Sequence, residues 1–314
     1  MKVILARPRG VCAGVERAVK IVELALERFG APIYVRKEIV HNRFIVDHLR
    51  QQGARFVDEL DEVPAGALVI FSAHGISPAV REDAERRGLR TVDATCPLVS
   101  KVHLEVLRYV KRDYNLVLIG HEGHDEVVGT LGHAPQSITL VTDVAHAERV
   151  ELPLDKPLIV LTQTTLSVDD TKQIMGVLMR RFPQLETPGA DDICYATQNR
   201  QNAVKALAES RIDLLLVVGS NNSSNAKRLV EVGESRGVPG YLIDRGAEIR
   251  PEWLKGVSAV GVTSGASTPE ELVQDVVARL RELGASEVEV STTVEEHVVF
   301  TLPPELRQLG AASP

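Results

Sequence analysis

Short, continuously apolar runs alternate along this chain with longer stretches in which apolar residues recur every three to four positions. The runs at 2–6, 33–36, 67–72, 116–120, 158–162, 214–219 and 259–263 have the character of strands covered on both faces, as in a parallel sheet. Between them, 15–29, 43–52, 78–87, 98–113, 168–181, 199–210, 227–235 and 269–283 read as amphipathic helices. This alternation predicts an α/β protein with mainly parallel strands. Residues 304–314 carry few core candidates and read as a frayed end.

The pattern repeats. Each of the three cysteines precedes a long helix, which leads to a strand, a polar loop, a helix, a second strand and a second polar loop. His41 follows Cys12 by 29 residues, His124 follows Cys96 by 28, and Ser223 follows Cys194 by 29. The second loops carry His74, Thr164-Thr165 and Ser267, at offsets of 62, 68 and 73. Such a repeat predicts three αβ subdomains related by pseudo-threefold symmetry, a trefoil around a central cavity. The boundaries fall at 13–95, 96–193 and 194–285, the third completed by the N-terminal strand 1–12, with 286–314 as a C-terminal strand and tail. Ligands of open parallel sheets bind beyond the carboxyl ends of the strands, and all six polar loops sit there. If those ends face a common axis, three cysteines and six loops meet.

Composition narrows the field. A net charge of −7 argues against nucleic acid or an anionic membrane as the main partner. Three cysteines in 314 residues exclude a secreted disulfide framework. No apolar stretch approaches the roughly 20 residues that span a bilayer, and Arg7-Pro8-Arg9 interrupts the first apolar run too early for a signal peptide. A cytoplasmic, reduced protein is expected.

The three cysteines occupy equivalent places just ahead of helices, where the helix dipole favours the thiolate that ligates metal. Three thiolates fall one short of a closed zinc site or a saturated iron–sulfur cluster, which leaves a coordination position for substrate. The spacing does not decide between zinc and a cluster. His41, His74, His124, Ser223, Ser224, Asn225 and Ser267, near glycines that permit close backbone approach, suit a phosphate or diphosphate held largely by neutral donors. Each hydroxyl taken alone is equally an N-cap. Glu126, two residues after His124, is a candidate general acid if burial raises its pKa, with Thr164 and Thr165 as relay or hydroxyl-binding groups. His48, His103, His133, His146 and His297 read as structural.

Taken together these residues resemble a known family. Arg9-Gly10-Val11-Cys12-Ala13-Gly14-Val15, Val40-His41-Asn42-Arg43, Ser72-Ala73-His74-Gly75-Ile76-Ser77 and Asp93-Ala94-Thr95-Cys96-Pro97 are similar to segments of the 4-hydroxy-3-methylbut-2-enyl diphosphate reductases of the non-mevalonate isoprenoid pathway. So are residues 120–126, Thr162-Gln163-Thr164-Thr165, residues 194–201, Asn222-Ser223-Ser224-Asn225 and Gly265-Ala266-Ser267. The match runs in order from about residue 2 to 281. Val11 and Lys37 stand where phenylalanine and histidine are common, and neither is a carried-over ligand.

The resemblance implies a three-lobed fold around an oxygen-sensitive 4Fe-4S cluster held by Cys12, Cys96 and Cys194. It implies a diphosphate bound by His41, His74, His124, Ser223, Ser224, Asn225 and Ser267. It further implies Glu126 as the acid and Thr164, beside Thr165, as the hydroxyl-orienting group, with His124 close to the chemistry. The reaction is then reductive dehydroxylation of 4-hydroxy-3-methylbut-2-enyl diphosphate to isopentenyl and dimethylallyl diphosphate. Electrons would come from flavodoxin or ferredoxin, because no Gly-x-Gly-x-x-Gly follows a strand here. A zinc-dependent phosphate-ester hydrolase and a non-catalytic diphosphate-binding module use the same residues and stand as the alternatives.

Overall fold

The computed structural model describes residues 1–307. It contains three separate parallel sheets. One runs in the spatial order Ala54–Val57, Ile33–Arg36, Leu68–Phe71, Arg90–Asp93, and a second in the order Ile138–Val141, Asn115–Ile119, Leu158–Thr162, Leu185–Glu186. The third runs Gly240–Ile243, Leu214–Val218, Ala259–Ser264, Lys2–Arg7, with Glu287–Thr292 added outside the N-terminal strand. Every strand pairing is parallel. The order is the same in all three lobes, except that the fourth place of the third sheet is taken by the N-terminal strand. The expected α/β trefoil is therefore present.

The central pair of each sheet is buried on both faces, as the apolar runs predicted. The outer strands were less legible. Arg90–Asp93 and Gly240–Ile243 alternate between half-buried, exposed and buried positions, and a half-covered strand of four residues carries too little apolar signal to be read from sequence.

Each cysteine marks the joint between lobes. The helix after Cys12, Ala13–Phe29, packs Ala18, Ile21 and Val22 against Ile33, Val35 and Ile70 of the first sheet. The helix after Cys96, Pro97–Lys111, packs Val102, Val106 and Tyr109 on Leu116, Leu118 and Ile159 of the second. The helix after Cys194, Tyr195–Glu209, packs Ala203, Val204 and Leu207 on Leu215 and Val217 of the third. Each cysteine thus follows the strand in fourth place of one sheet and starts the helix that covers the next.

The expectation of a frayed end is corrected for residues 304–307. These form a helical turn, Pro304–Arg307, whose Leu306 is buried in the core of the first lobe. One well-placed leucine suffices to dock a segment of otherwise polar composition. Residues 308–314 lie outside the described residues. Among the described residues no helix is long and apolar enough to cross a membrane.

Candidate active site

The polar loops arise where the central strands of each sheet end. Ile33–Arg36 and Leu68–Phe71 deliver His41 and His74, Asn115–Ile119 and Leu158–Thr162 deliver His124 and Thr164-Thr165, and Leu214–Val218 and Ala259–Ser264 deliver Ser223–Asn225 and Ser267. The cysteine backbones lock onto these loops in a threefold-equivalent way. The N–H of Cys12 donates to the Ala266 carbonyl, that of Cys96 to Ala73 and that of Cys194 to Thr164, each at 3.0 Å. In every lobe the cysteine is therefore pinned beside the second polar loop of the lobe it leaves. All thirteen residues singled out from sequence line one cavity: the three cysteines, His41, His74, His124, Glu126, Thr164, Thr165, Ser223, Ser224, Asn225 and Ser267.

The cysteines are N-terminal residues of their helices, yet the expected thiolate character does not follow from this. Burial pushes the Cys96 thiol up to about 12 and the Cys194 thiol up to about 11, and neighbouring thiols add to the rise. Loss of water outweighs the helix dipole when three like groups crowd one site. These thiols lose their protons when a cationic group arrives to compensate them, so ligation and proton release are coupled. Gly14 leaves room for this: a Cβ there would lie 2.7 Å from Sγ of Cys96 and 3.8 Å from Sγ of Cys12. Among the described residues, the three potential ligand atoms found within 4.8 Å of one another belong to His41, His74 and Asp125, not to the cysteines. The sulfurs are spread more widely than the donors of a single ion.

Glu126 is 3% exposed, as a general acid with a raised pKa requires. Its Oε1 accepts the Thr164 N–H at 2.7 Å and its Oε2 accepts the Thr164 Oγ1–H at 2.9 Å. Burial raises its pKa to about 7 against these bonds. The carboxyl therefore carries its proton at neutral pH in a large fraction of molecules.

Three imidazoles stand together. His41 and His74 stack with ring centroids 4.0 Å apart, and His124 meets them edge-on at 5.3 and 5.8 Å. Burial holds His74 well below the ordinary imidazole range and brings His124 down to about 3, with neighbouring histidines adding to both shifts. Both are neutral donors or acceptors. The Nδ1 of His124 accepts the Glu126 N–H at 3.2 Å, which leaves the proton on Nε2 in the neutral ring.

The hydroxyls divide. Ser223 caps its helix by accepting from the Ala226 N–H, Ser267 Oγ donates to the His41 carbonyl, and Thr165 Oγ1 accepts from Gln163 Nε2. Ser224 Oγ and both side-chain atoms of Asn225 are buried without a protein partner. Unmatched polar groups of this kind are costly unless a polar ligand meets them.

Several contributors were not singled out from sequence. Gln163 joins the loops through the His121 N–H. Arg200 is fully buried and reaches the Gly10 carbonyl at 2.8 Å, the Ala196 carbonyl at 2.8 Å and Glu296 at 3.1 Å, tying the Cys12 loop to the Cys194 helix. A charged residue inside an amphipathic helix gives no local sign that it faces inward.

Similarity to known proteins agrees with this geometry. The LytB protein family matches residues 3–281. The chain is 57% identical over all of both chains to the 4-hydroxy-3-methylbut-2-enyl diphosphate reductase of Chromohalobacter salexigens, and 56% identical over 99% of both to that of Burkholderia pseudomallei. Among solved structures it superposes on the E-1-hydroxy-2-methyl-but-2-enyl-4-diphosphate reductase of Plasmodium falciparum with a TM-score of 0.94, at 42% identity, covering 97% of this chain and 96% of that one. A further solved (E)-4-hydroxy-3-methyl-but-2-enyl diphosphate reductase, described as the terminal enzyme of the non-mevalonate pathway, matches with a TM-score of 0.62 at 32% identity, covering 90% of this chain and 99% of the other. A family match over most of the chain, relatives more than half identical along its whole length and the shared three-lobed fold place this chain in the LytB family, whose relatives are 4-hydroxy-3-methylbut-2-enyl diphosphate reductases, and make it an oxidoreductase.

Proposed function

We propose that the chain reduces 4-hydroxy-3-methylbut-2-enyl diphosphate to isopentenyl and dimethylallyl diphosphate, with electrons from a flavodoxin or ferredoxin. The reaction consumes two electrons and two protons, breaks the C–O bond to the terminal hydroxyl and releases water. The observation that carries this reading is the convergence of three thiols, three imidazoles and a buried acid on one cavity.

The donor set fits a 4Fe-4S cluster on Cys12, Cys96 and Cys194. All three sulfurs come from helix starts, Gly14 leaves space between two of them, and their spread exceeds the 4.8 Å within which three donors of one ion gather. A lone tetrahedral zinc, with Zn–S bonds of about 2.3 Å, draws its sulfurs closer than that. When bound, the cluster supplies the electrons one at a time and an iron free of protein ligands that polarises the hydroxyl as a Lewis acid.

The chain's own residues do the rest. Glu126 holds the proton that converts the departing hydroxyl into water. In the protonated acid, Oε2–H donates to Thr164 Oγ1, and Thr164 turns its own proton toward the substrate oxygen. The N–H of Thr164 holds the other carboxyl oxygen in place. Ser224, Asn225, His41, His74 and His124 offer the donors for the diphosphate, and Ser223, Ser267 and Thr165 shape the loops that carry them. Burial excludes water that would otherwise compete for the proton.

Anaerobic reconstitution followed by iron and sulfide analysis, visible absorption near 400 nm and identification of the products tests the reading. Isoprenyl diphosphates formed from the allylic alcohol with a reduced ferredoxin are the expected result. A colourless protein with one zinc, or a coloured protein that forms no isoprenyl diphosphate, would refute it.

A further inference from the structure

The three imidazoles differ in what holds their Nδ1 atoms. His124 Nδ1 accepts a backbone N–H, and His74 Nδ1 lies 3.4 Å from Ser72 Oγ. His41 Nδ1 instead faces a carboxylate, Glu38 Oε2, at 3.2 Å. The same Oε2 accepts from Asn222 Nδ2 at 2.7 Å, so one oxygen joins the His41 loop of the first lobe to the Asn222–Asn225 loop of the third. The bond from His41 holds Glu38 below the usual carboxylate range.

A ring whose Nδ1 meets a carboxylate carries its proton there. Its Nε2 is then bare in the neutral form and has nothing to donate to a phosphate oxygen, unlike the Nε2–H of His124. We propose that Glu38 makes His41 the cationic member of the anion site: on binding of a diphosphate, His41 takes one proton from solvent at Nε2, and the Glu38 carboxylate, oriented by Asn222, is its counter-charge. The titratable groups around His41 single it out for this role. Glu38 is the carboxylate in contact with it. His74 and His124 are kept neutral by burial, Asp125 brings an oxygen within 4.8 Å of the His41 and His74 nitrogens, and Glu126 is the acid reserved for the departing hydroxyl. The inference rests on the proposed reading of this cavity as a diphosphate site, and assigns Glu38 as a positioning residue in it.

Calorimetric titration of the cluster-loaded protein with inorganic diphosphate, at about pH 8 in two buffers of different ionisation enthalpy, reads the proton directly. Wild type is expected to take up close to one proton more than E38Q or H41N. A hydrogen bond to an ionised group matters by about tenfold or more, so E38Q and E38A should weaken diphosphate binding about tenfold. KM for the allylic diphosphate should rise by more than kcat falls, with absorption near 400 nm unchanged and E38D recovering part of the loss. Equal proton uptake in wild type and E38Q, or E38A binding diphosphate as tightly as wild type, overturns the inference. Failure of wild type to bind diphosphate at all overturns it together with the diphosphate reading, whereas binding without turnover tells against the reductase reading alone.

Discussion

Replacing Glu126 by glutamine separates the role proposed for this residue in catalysis from what it costs the fold. Glutamine matches the protonated acid in shape and hydrogen bonding: its carbonyl oxygen accepts the Thr164 N–H and its amide donates to Thr164 Oγ1. It cannot ionise. Burial raises the Glu126 pKa from 4.5 to about 7, and each unit corresponds to about 1.4 kcal/mol, so the ionised side chain costs the folded state about 3 kcal/mol. The sign follows from proton binding. Between pH 4.5 and 7 the folded protein binds more protons at this site than the unfolded chain, and stability falls as pH rises through that window. In metal-free protein, Glu126→Gln should therefore melt with wild type near pH 4.5 and above it at pH 8, by about 5 °C for a chain of this length. Turnover should move the other way. Loss of a positioned general acid costs about 10²–10⁴-fold, with iron content and visible absorption unaltered. The two measurements check each other: equal pH dependence of melting in both proteins would refute the buried, proton-holding carboxyl, and near-normal turnover by the variant would remove Glu126 from the reaction.

Other expectations follow from single contacts. Gly14→Ala should drive the Cys96 sulfur from its place, since the new Cβ would lie 2.7 Å from it, and iron bound per chain after reconstitution should fall sharply while circular dichroism stays unchanged. Glu296→Ala removes the carboxylate from the buried Arg200 and should cost about 3–5 kcal/mol in denaturant unfolding; an effect below 1 kcal/mol would mean that the Gly10 and Ala196 carbonyls alone satisfy the guanidinium. Leu306→Ala should destabilise the first lobe by about 2–4 kcal/mol and speed proteolysis near residue 304, whereas no effect would return the segment to the frayed end its composition suggests.

The loops were legible because their chemistry is local. His41, His74, His124, Glu126 and Thr164 follow apolar strands at recurring distances, and in a parallel sheet the end of a strand is where a ligand binds. Glu38 and Arg200 were illegible for the opposite reason. A glutamate three residues before a histidine, or an arginine on a helix face, is an ordinary solvated side chain until a part of the chain remote in sequence closes over it. Their partners lie 184 residues away, at Asn222, and 96 away, at Glu296.

Periodicity and repeat spacing in the chain were enough to specify the lobes, their parallel central strands and the equivalence of the three cysteines, because those properties depend on which residues are apolar and how far apart they fall. Protonation was beyond their reach. A helix start argues for a thiolate at Cys96, but packing three sulfurs into one desolvated pocket reverses that preference, and the same loss of water keeps Glu126 protonated and His124 neutral. Charge states depend on the distance to water and to other charges in three dimensions, and those distances exist only once the lobes have closed on one another.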